Sequence, residues 1–458
     1  WLFEQNYHII GDMAETMALI LPRTESPSDK PLHLWMADLY GMSDTTEAKK
    51  KEFITNAWSV LDTPSIWVFN KLLTGGFRIG VTKSLMTQAL AIATGQEPTT
   101  IAFHLEGDWT PLSISWAQLF DFDNQSSDIS KPYPFYLSYP LPEGDIAGIN
   151  AQEWIAEYKW DGIRGQLIHR NNQVFLWSRG EELITEQFPE FDALSELKKE
   201  FVIDGEIVAW ANDLPMDFQK LQSRINRKEP GKKILHDIPA RFIAYDIMEY
   251  DGKDIRKLPF EERRKMLESL HTALPNETIH LSEILPFSDI RQLQSYRDDS
   301  RSLHAEGLML KRKSGYYHQG RTSGDMWKWK SDPYTIDAVM IYAQRGQGRS
   351  AHVYSAFTFA LWEGDQLIPF AKANEGLTDV EMAEITAFVI SNTIEKFGPV
   401  SSVRPELVFE LAFEGIATSK RHKSGVTVRY PRIIRWRRDK LATDADTLEG
   451  LKNLLSTE

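Results

Sequence analysis

Cysteine is absent from this chain of 458 residues. That one absence excludes disulfides, cysteine-ligated zinc and thiol catalysis, and it suits a reducing cytoplasm. No apolar run approaches membrane-spanning length, so nothing in the sequence anchors it in a bilayer. Net positive charge is also missing: 65 acidic side chains against 52 basic ones leave −13, which on its face argues against a polyanionic partner. There is no internal repeat and no signal-peptide layout. The chain opens on Trp1, and it is expected to be a fragment of a longer product. A hydrophobic content of 42% with 26% charged residues fits a soluble globular protein, and the length calls for two to four domains.

The charge average conceals two basic islands. Thr418 to Lys440 holds nine Lys/Arg against Asp439 alone, and Lys220 to Lys233 holds six against Glu229. Each is either a solvated charge run or a patch able to track a phosphate backbone on an otherwise acidic body.

Residues 1–133 read as helical. "GDMAETMALILP" spaces Met13, Met17, Ile20 and Leu21 onto one face. "KLLTGGFRIGVTKSLMTQALAIATG" reads as two helices broken at Gly75 and Gly76, with Thr82 capping the second and Leu85, Met86, Leu90 and Ile92 as its buried stripe. That second start, with Arg78 and Lys83, is either a plain helical hairpin or a hold for a DNA phosphate. Residues 121–145, rich in Pro, Ser and Asp, read as a linker. Beyond it, short alternating strands such as "EWIAEYKW" and "FVIDGEIVAW" mix with helices such as Pro259 to Leu270, the pattern of an α+β domain with antiparallel sheets. From about Thr335 five strands and one helix, Asp379 to Phe397, suit a small OB-type barrel, closed by a capped helix from Thr447.

The chemistry gathers around "EYKWDGIRGQ". Lys159 can attack a phosphorus centre only as the neutral amine, which burial or nearby cations would favour. "MWKWKS" supplies such cations, because Lys328 and Lys330 share one strand face while Trp327 and Trp329 take the other. Asp204 and Glu206 flank Gly205 in an apolar strand, and Glu306 precedes another. Carboxylates so placed are structural ion pairs, or ligands for a hard cation such as Mg²⁺ or for ribose hydroxyls.

Taken in order, "KWDGIR" (159–164), "SRG" (178–180), "DGE" (204–206), "FIAYDI" (242–247), "EGLMLK" (306–311), "WKWK" (327–330) and "RYPRIIRWRRDK" (429–440) resemble the motif set of covalent nucleotidyltransferases, and most closely the ATP-dependent DNA ligases. "YAQRGQGRS" and "RHKSG" point to the bacterial branch. The resemblance implies three parts: an incomplete all-α DNA-binding domain (1–133), an ATP-grasp-like adenylyltransferase domain (134–332) and an OB-fold domain with a C-terminal helix (333–458). It implies ATP and Mg²⁺ as cofactors, nicked duplex DNA as partner, a monomer, and work at the bacterial nucleoid in repair, replication or recombination. An RNA ligase or capping-type enzyme shares "KxDGxR" but lacks the preceding helical module. A non-catalytic DNA-binding protein has no use for every nucleotide-site residue.

On that resemblance, Lys159 would take AMP from ATP as a phosphoramidate. Glu157 would accept from the adenine amino group and Tyr245 would stack on the ring. Arg164 and Glu206 would hold the ribose, and Arg179 would sit by the ribose or the nick 5′-phosphate. Glu306, with Glu206, would hold Mg²⁺, while Lys328 and Lys330 neutralise the α-phosphate. Arg437 and Lys440 would orient the pyrophosphate leaving group, on a barrel domain hinged near Asp332 to Thr335. DNA contacts would come from Arg78, Lys83, Arg224, Arg227, Arg321, Arg345, Arg349, Lys420, Arg421 and Lys423.

Overall fold

The computed structural model describes residues 2–456 apart from 11, 76, 78–80, 106–108, 110–112, 122–128, 212–213, 226, 228–229, 276 and 347–352. It divides into two compact units, one formed by Trp1–Gly80 with Pro333–Thr457 and the other by Val81–Asp332.

In the first segment, helices Met13–Ile20, Glu47–Val60 and Thr63–Thr74 supply Ala18, Ala57, Ile66 and Phe69 to a small core. Asp62 caps the last of them, accepting from the Ser65 N–H, and Gly75 ends it in the left-handed conformation. The expected apolar stripes lie elsewhere. Helix Met13–Ile20 buries Ala14 and Ala18 and exposes Met13 and Ile20. In the other unit, Thr82 caps Lys83–Thr94 as expected, yet Leu85, Met86 and Ile92 are exposed, and Thr87 and Ala91 are the buried ones among its described side chains. Small side chains let helix backbones approach closely, so the packed face is not the bulkiest one.

The unit Val81–Asp332 is built on two main sheets. One has the order Ile279–Leu281, Ala240–Tyr250, Phe201–Ala211, Ile163–Arg170, Gln173–Ser178. The other runs Tyr139–Pro140, Met326–Lys330, Ala305–Arg312, Trp154–Trp160. The pairings are antiparallel except at Ile279–Leu281 and Tyr139–Pro140, which pair in parallel. Helix Phe260–His271 packs on strand Ala240–Tyr250, close to the expected bounds. Residues 129–140 are not a linker. Lys131, Tyr133 and Tyr136 are buried, Tyr136–Leu137 pairs with Gly320–Arg321, and the Gln166 amide exchanges two hydrogen bonds with the Tyr133 backbone at 2.7 and 2.6 Å. Proline in this stretch forbids a helix but leaves short edge strands available, and its aromatics find a core.

In residues 333–456 strand Tyr334–Arg345 pairs antiparallel with Tyr354–Glu363, Val400–Val403 and Val408–Phe413. Arg432–Trp436 adds to Val408–Phe413. A separate hairpin joins Gly415–Thr418 to Val426–Arg429. The expected final strand therefore breaks in two, at Tyr430 with its φ of 53°. Helix Asp379–Asn392 opens on a capping box between Thr378 and Glu381. It stops five residues early, because Thr393–Phe397 forms a strand with Val400–Val403. Thr447 caps the closing helix Leu448–Asn453.

Candidate active site

Lys159 and Arg164 stand at the seam of the two sheets. Strand Trp154–Trp160 belongs to one and Ile163–Arg170 to the other, joined through Asp161 and Gly162. The turn needs glycine, since a Cβ at Gly162 would lie 2.2 Å from the Ile207 carbonyl oxygen. Across from Lys159 the register slips between Ala305 and Leu308. Gly307 there has φ +128°, and a Cβ on it would meet the Trp329 carbonyl at 2.3 Å. A bulge of this kind re-aims a side chain. Here Glu306 turns toward Lys159 and forms an ion pair with it, while Lys330 Nζ approaches the same carboxylate at 3.6 Å.

Glu157, Met309 and Lys328 line up across three strands on one face. Trp327 is buried on the opposite face with Trp329 packed beside it, as the alternation "WKWK" predicts. Lys328 is held below the ordinary lysine range, first by burial and then by Arg321, Lys159, Lys330 and Arg179. Five cations thus share one neighbourhood, a natural seat for phosphate oxygens. The expected DNA contact Arg321 belongs to this group, and its guanidinium also lies over the Tyr139 ring at 5.4 Å.

Glu206 is pushed up to about 8 by burial, with Asp204 and Glu306 adding to the rise and Lys159 and Arg164 opposing it. Among the described residues no group of three or more His, Asp or Glu side chains is set to hold a metal ion. Two carboxylates that disfavour each other's charge do suit Mg²⁺, which takes one or two carboxylates and completes its shell with phosphates and water. Arg164 is held fork to fork by Asp204, Nε–Oδ1 at 3.1 Å and Nη2–Oδ2 at 2.7 Å. The Tyr317 hydroxyl donates to the same carboxylate at 2.6 Å. Tyr245, raised well above the ordinary phenol range by burial, lies under Arg164 at 5.9 Å. Arg179 is exposed and ties its N–H to the Arg164 carbonyl at 2.9 Å.

Glu157 is 1% exposed, with Arg264 Nη1 at 3.2 Å on Oε1 and Lys311 Nζ at 2.5 Å on Oε2. Of the two readings of Asp204 the structure shows the ion pair. Reasoning from the sequence assigned no role to Arg264 or Tyr317, and it treated Lys311 only as a strand end. The one available signal was a cation closing an apolar strand.

In the other unit Arg437 and Lys440 converge on Asp337. Arg437 Nη1 donates to Asp337 Oδ2 at 2.8 Å and Lys440 Nζ to the same atom at 2.6 Å. Arg437 also grips Asp439 at 3.0 and 2.8 Å.

The expected DNA contacts divide. Arg224 is a correction: its side chain is fully buried, paired with Glu190, and donates to the Gln187 and Ile238 carbonyls. Helix Phe218–Ile225 turns it inward with Leu221. Arg227, Arg345, Lys420, Arg421 and Lys423 are exposed. Arg78 and Arg349 lie outside the described residues, as does the side chain of Lys83. Part of the basic island Thr418 to Lys440 is neutralised, since Arg432, Arg435 and Arg438 pair with Glu414, Glu410 and Glu384.

Residues 142–330 match the family model for the ATP dependent DNA ligase domain, and residues 350–440 match that for the ATP dependent DNA ligase C terminal region. A probable DNA ligase of Koribacter versatilis is 30% identical over 435 residues, covering 90% of this chain and 75% of the relative. A DNA ligase of Archaeoglobus fulgidus is 27% identical over 455 residues, covering 97% and 78%. Among solved structures, Pmar-Lig_PreS3 shares the fold, with a TM-score of 0.63 over 91% of this chain and 88% of that one at 16% identity.

Proposed function

Because the chain belongs to the ATP-dependent DNA ligase family, we propose that it seals nicks in duplex DNA through an AMP carried on Lys159. The observation that supports this most is the grouping of Lys159 with Arg179, Arg321, Lys328 and Lys330 beside two carboxylates. Nucleotidyl transfer asks for positioning and charge neutralisation more than for covalent help.

In the first transfer the neutral Lys159 nitrogen bonds to the α-phosphorus of ATP and gives up one proton to solvent, and pyrophosphate leaves with the bonding pair. A nick 5′-phosphate oxygen then takes the AMP, freeing the lysine. Last, the 3′-hydroxyl attacks the activated phosphate, and AMP leaves as the phosphodiester forms. Lys328 and Lys330 balance charge on the transferred phosphate throughout. Arg164 and Glu206 hold the ribose, and Arg179 serves the ribose or the 5′-phosphate. Glu157 accepts from the adenine amino group against the Tyr245 ring. Glu306, with Glu206, would hold Mg²⁺, which supplies Lewis-acid stabilisation of the phosphoryl oxygens.

Arg437 and Lys440 act on departing pyrophosphate, and only in the first transfer. That one-time need favours an OB-type barrel domain (333–458) that moves about Asp332 to Thr335. The helices before residue 134 form a DNA-binding module. Arg227, Arg345, Lys420, Arg421 and Lys423 contact phosphates, positioning a nick without reading sequence. The enzyme works as a monomer.

Incubation with labelled ATP or GTP, followed by nicked DNA or nicked RNA, tests the assignment. Label should pass from ATP to the protein and then to DNA, giving a sealed strand. Preferential sealing of RNA, or charging by GTP, would overturn it.

A further inference from the structure

We propose that Lys311, assisted by Arg264, is a specificity-determining residue that makes the site choose adenine over guanine, by fixing Glu157 as an acceptor and Tyr245 beside it. The proposal rests on the reading of Glu157 and Tyr245 as the base contacts. Lys311 is 5% exposed, and its ammonium group serves both of them. Nζ lies 2.5 Å from Glu157 Oε2, donates to the Tyr245 carbonyl at 3.0 Å, and sits 4.7 Å from the Tyr245 ring centroid and 5.0 Å from that of Phe260. Arg264 takes the other Glu157 oxygen at 3.2 Å, and its Nε is steadied by Glu268 at 2.8 Å.

The result is an alternating chain, Lys311, Glu157, Arg264, Glu268, that spans strands Ala305–Arg312 and Trp154–Trp160 and helix Phe260–His271. A cation on each oxygen stops the carboxylate from rotating, and the only lone pairs left to a ligand are acceptors. The exocyclic amino group of adenine is a donor and satisfies such an acceptor. Guanine presents a carbonyl oxygen at that position, and two buried acceptors then face each other unpaired. Sites built on a fixed polar contact discriminate far more strongly than apolar ones. Because Lys311 also holds the Tyr245 backbone, one ammonium group sets the distance between stacking plane and acceptor.

The test measures kcat/KM for covalent charging of the whole chain by ATP and by GTP. The wild type is compared with Lys311→Met, Lys311→Arg, Arg264→Gln and Glu157→Gln. Lys311→Met should narrow the ATP:GTP ratio by about tenfold or more, mainly through a raised KM for ATP, and Lys311→Arg should restore most of it. Arg264→Gln should act in the same direction, and it decides the matter if thermal melts show Lys311→Met unfolded. A ratio unchanged in both, with only the overall rate reduced, would reduce the two cations to structural supports and overturn the proposal. If instead Glu157→Gln leaves the ratio untouched, or the wild type takes no nucleotide, the underlying base-contact reading fails with it.

Discussion

Lys159 and Glu306 are ion-paired across two neighbouring antiparallel strands, at the one place where the register of those strands slips. The bulge at Gly307 exists for that meeting, because a regular strand would turn Glu306 to the face of Leu308 and Leu310. Removing the carboxylate takes away the proposed Mg²⁺ ligand beside the transferred phosphate, a loss that outweighs the easier deprotonation of Lys159 among cations alone. Glu306→Ala should slow charging of Lys159 by roughly 10²–10³-fold in single-turnover assays, with the fold kept by far-ultraviolet circular dichroism. A rate within a few-fold of wild type would deny Glu306 its role.

Glu206 ties stability to pH. Its folded value of about 8 lies above the ordinary 4.5, so between those limits the folded chain binds more protons than the unfolded one. Stability contributed at this site therefore falls as pH rises through the window, and the loss is complete above it. Glu206→Gln should melt a few degrees higher than wild type at pH 9, with little difference near pH 4.5. Equal differences at both pH values would show that Glu206 does not hold its proton through burial.

Two arginines only three positions apart should behave as opposites. Arg224→Ala removes the buried guanidinium from two carbonyls and from Glu190, which is partly exposed and keeps the Ala240 N–H, and should cost about 3 kcal/mol in denaturant unfolding. Arg227→Ala should leave stability alone, weaken DNA binding and reduce its salt slope by about one. The reverse pattern would mean that helix Phe218–Ile225 presents its other face.

These arginines show how far the sequence could be read. Strand positions in "WKWK" carry a period of two, so the shared face of Lys328 and Lys330 was legible, and so was the capping at Thr82 and Thr447. What a chain's own period does not carry is which partner covers it. Arg224 looked like surface because its neighbours are basic, yet its partner Glu190 lies 34 positions earlier. Leu85, Met86 and Ile92 looked buried because they are large, while the smaller Thr87 and Ala91 are the ones covered. The holders Lys311, Arg264 and Asp337 were hidden for the same reason: each acts through a residue distant in sequence. The aromatic stretch around Tyr133 and Tyr136 was misread because proline signals a turn locally, whereas burial is decided by the sheet it joins.

Asp337 gives a test that distinguishes the steps. It holds Arg437 and Lys440 on one oxygen, while Oδ1 is buried with no hydrogen-bond partner among the described residues. If the two cations serve only pyrophosphate departure, Lys440→Ala and Asp337→Asn should slow charging by ATP about tenfold or more. Both should seal a nick that already carries AMP at near wild-type rate. An equal loss in both assays would assign these cations to every step.

The most direct measurement is the intact mass of the protein after exposure to ATP and Mg²⁺, once excess pyrophosphate has stripped any AMP already attached and has itself been removed. The wild type should gain the mass of one AMP, the gain should reverse on adding pyrophosphate, and Lys159→Ala should gain nothing. An unchanged wild-type mass, or an adduct that survives Lys159→Ala, would contradict the account of Lys159 as the carrier.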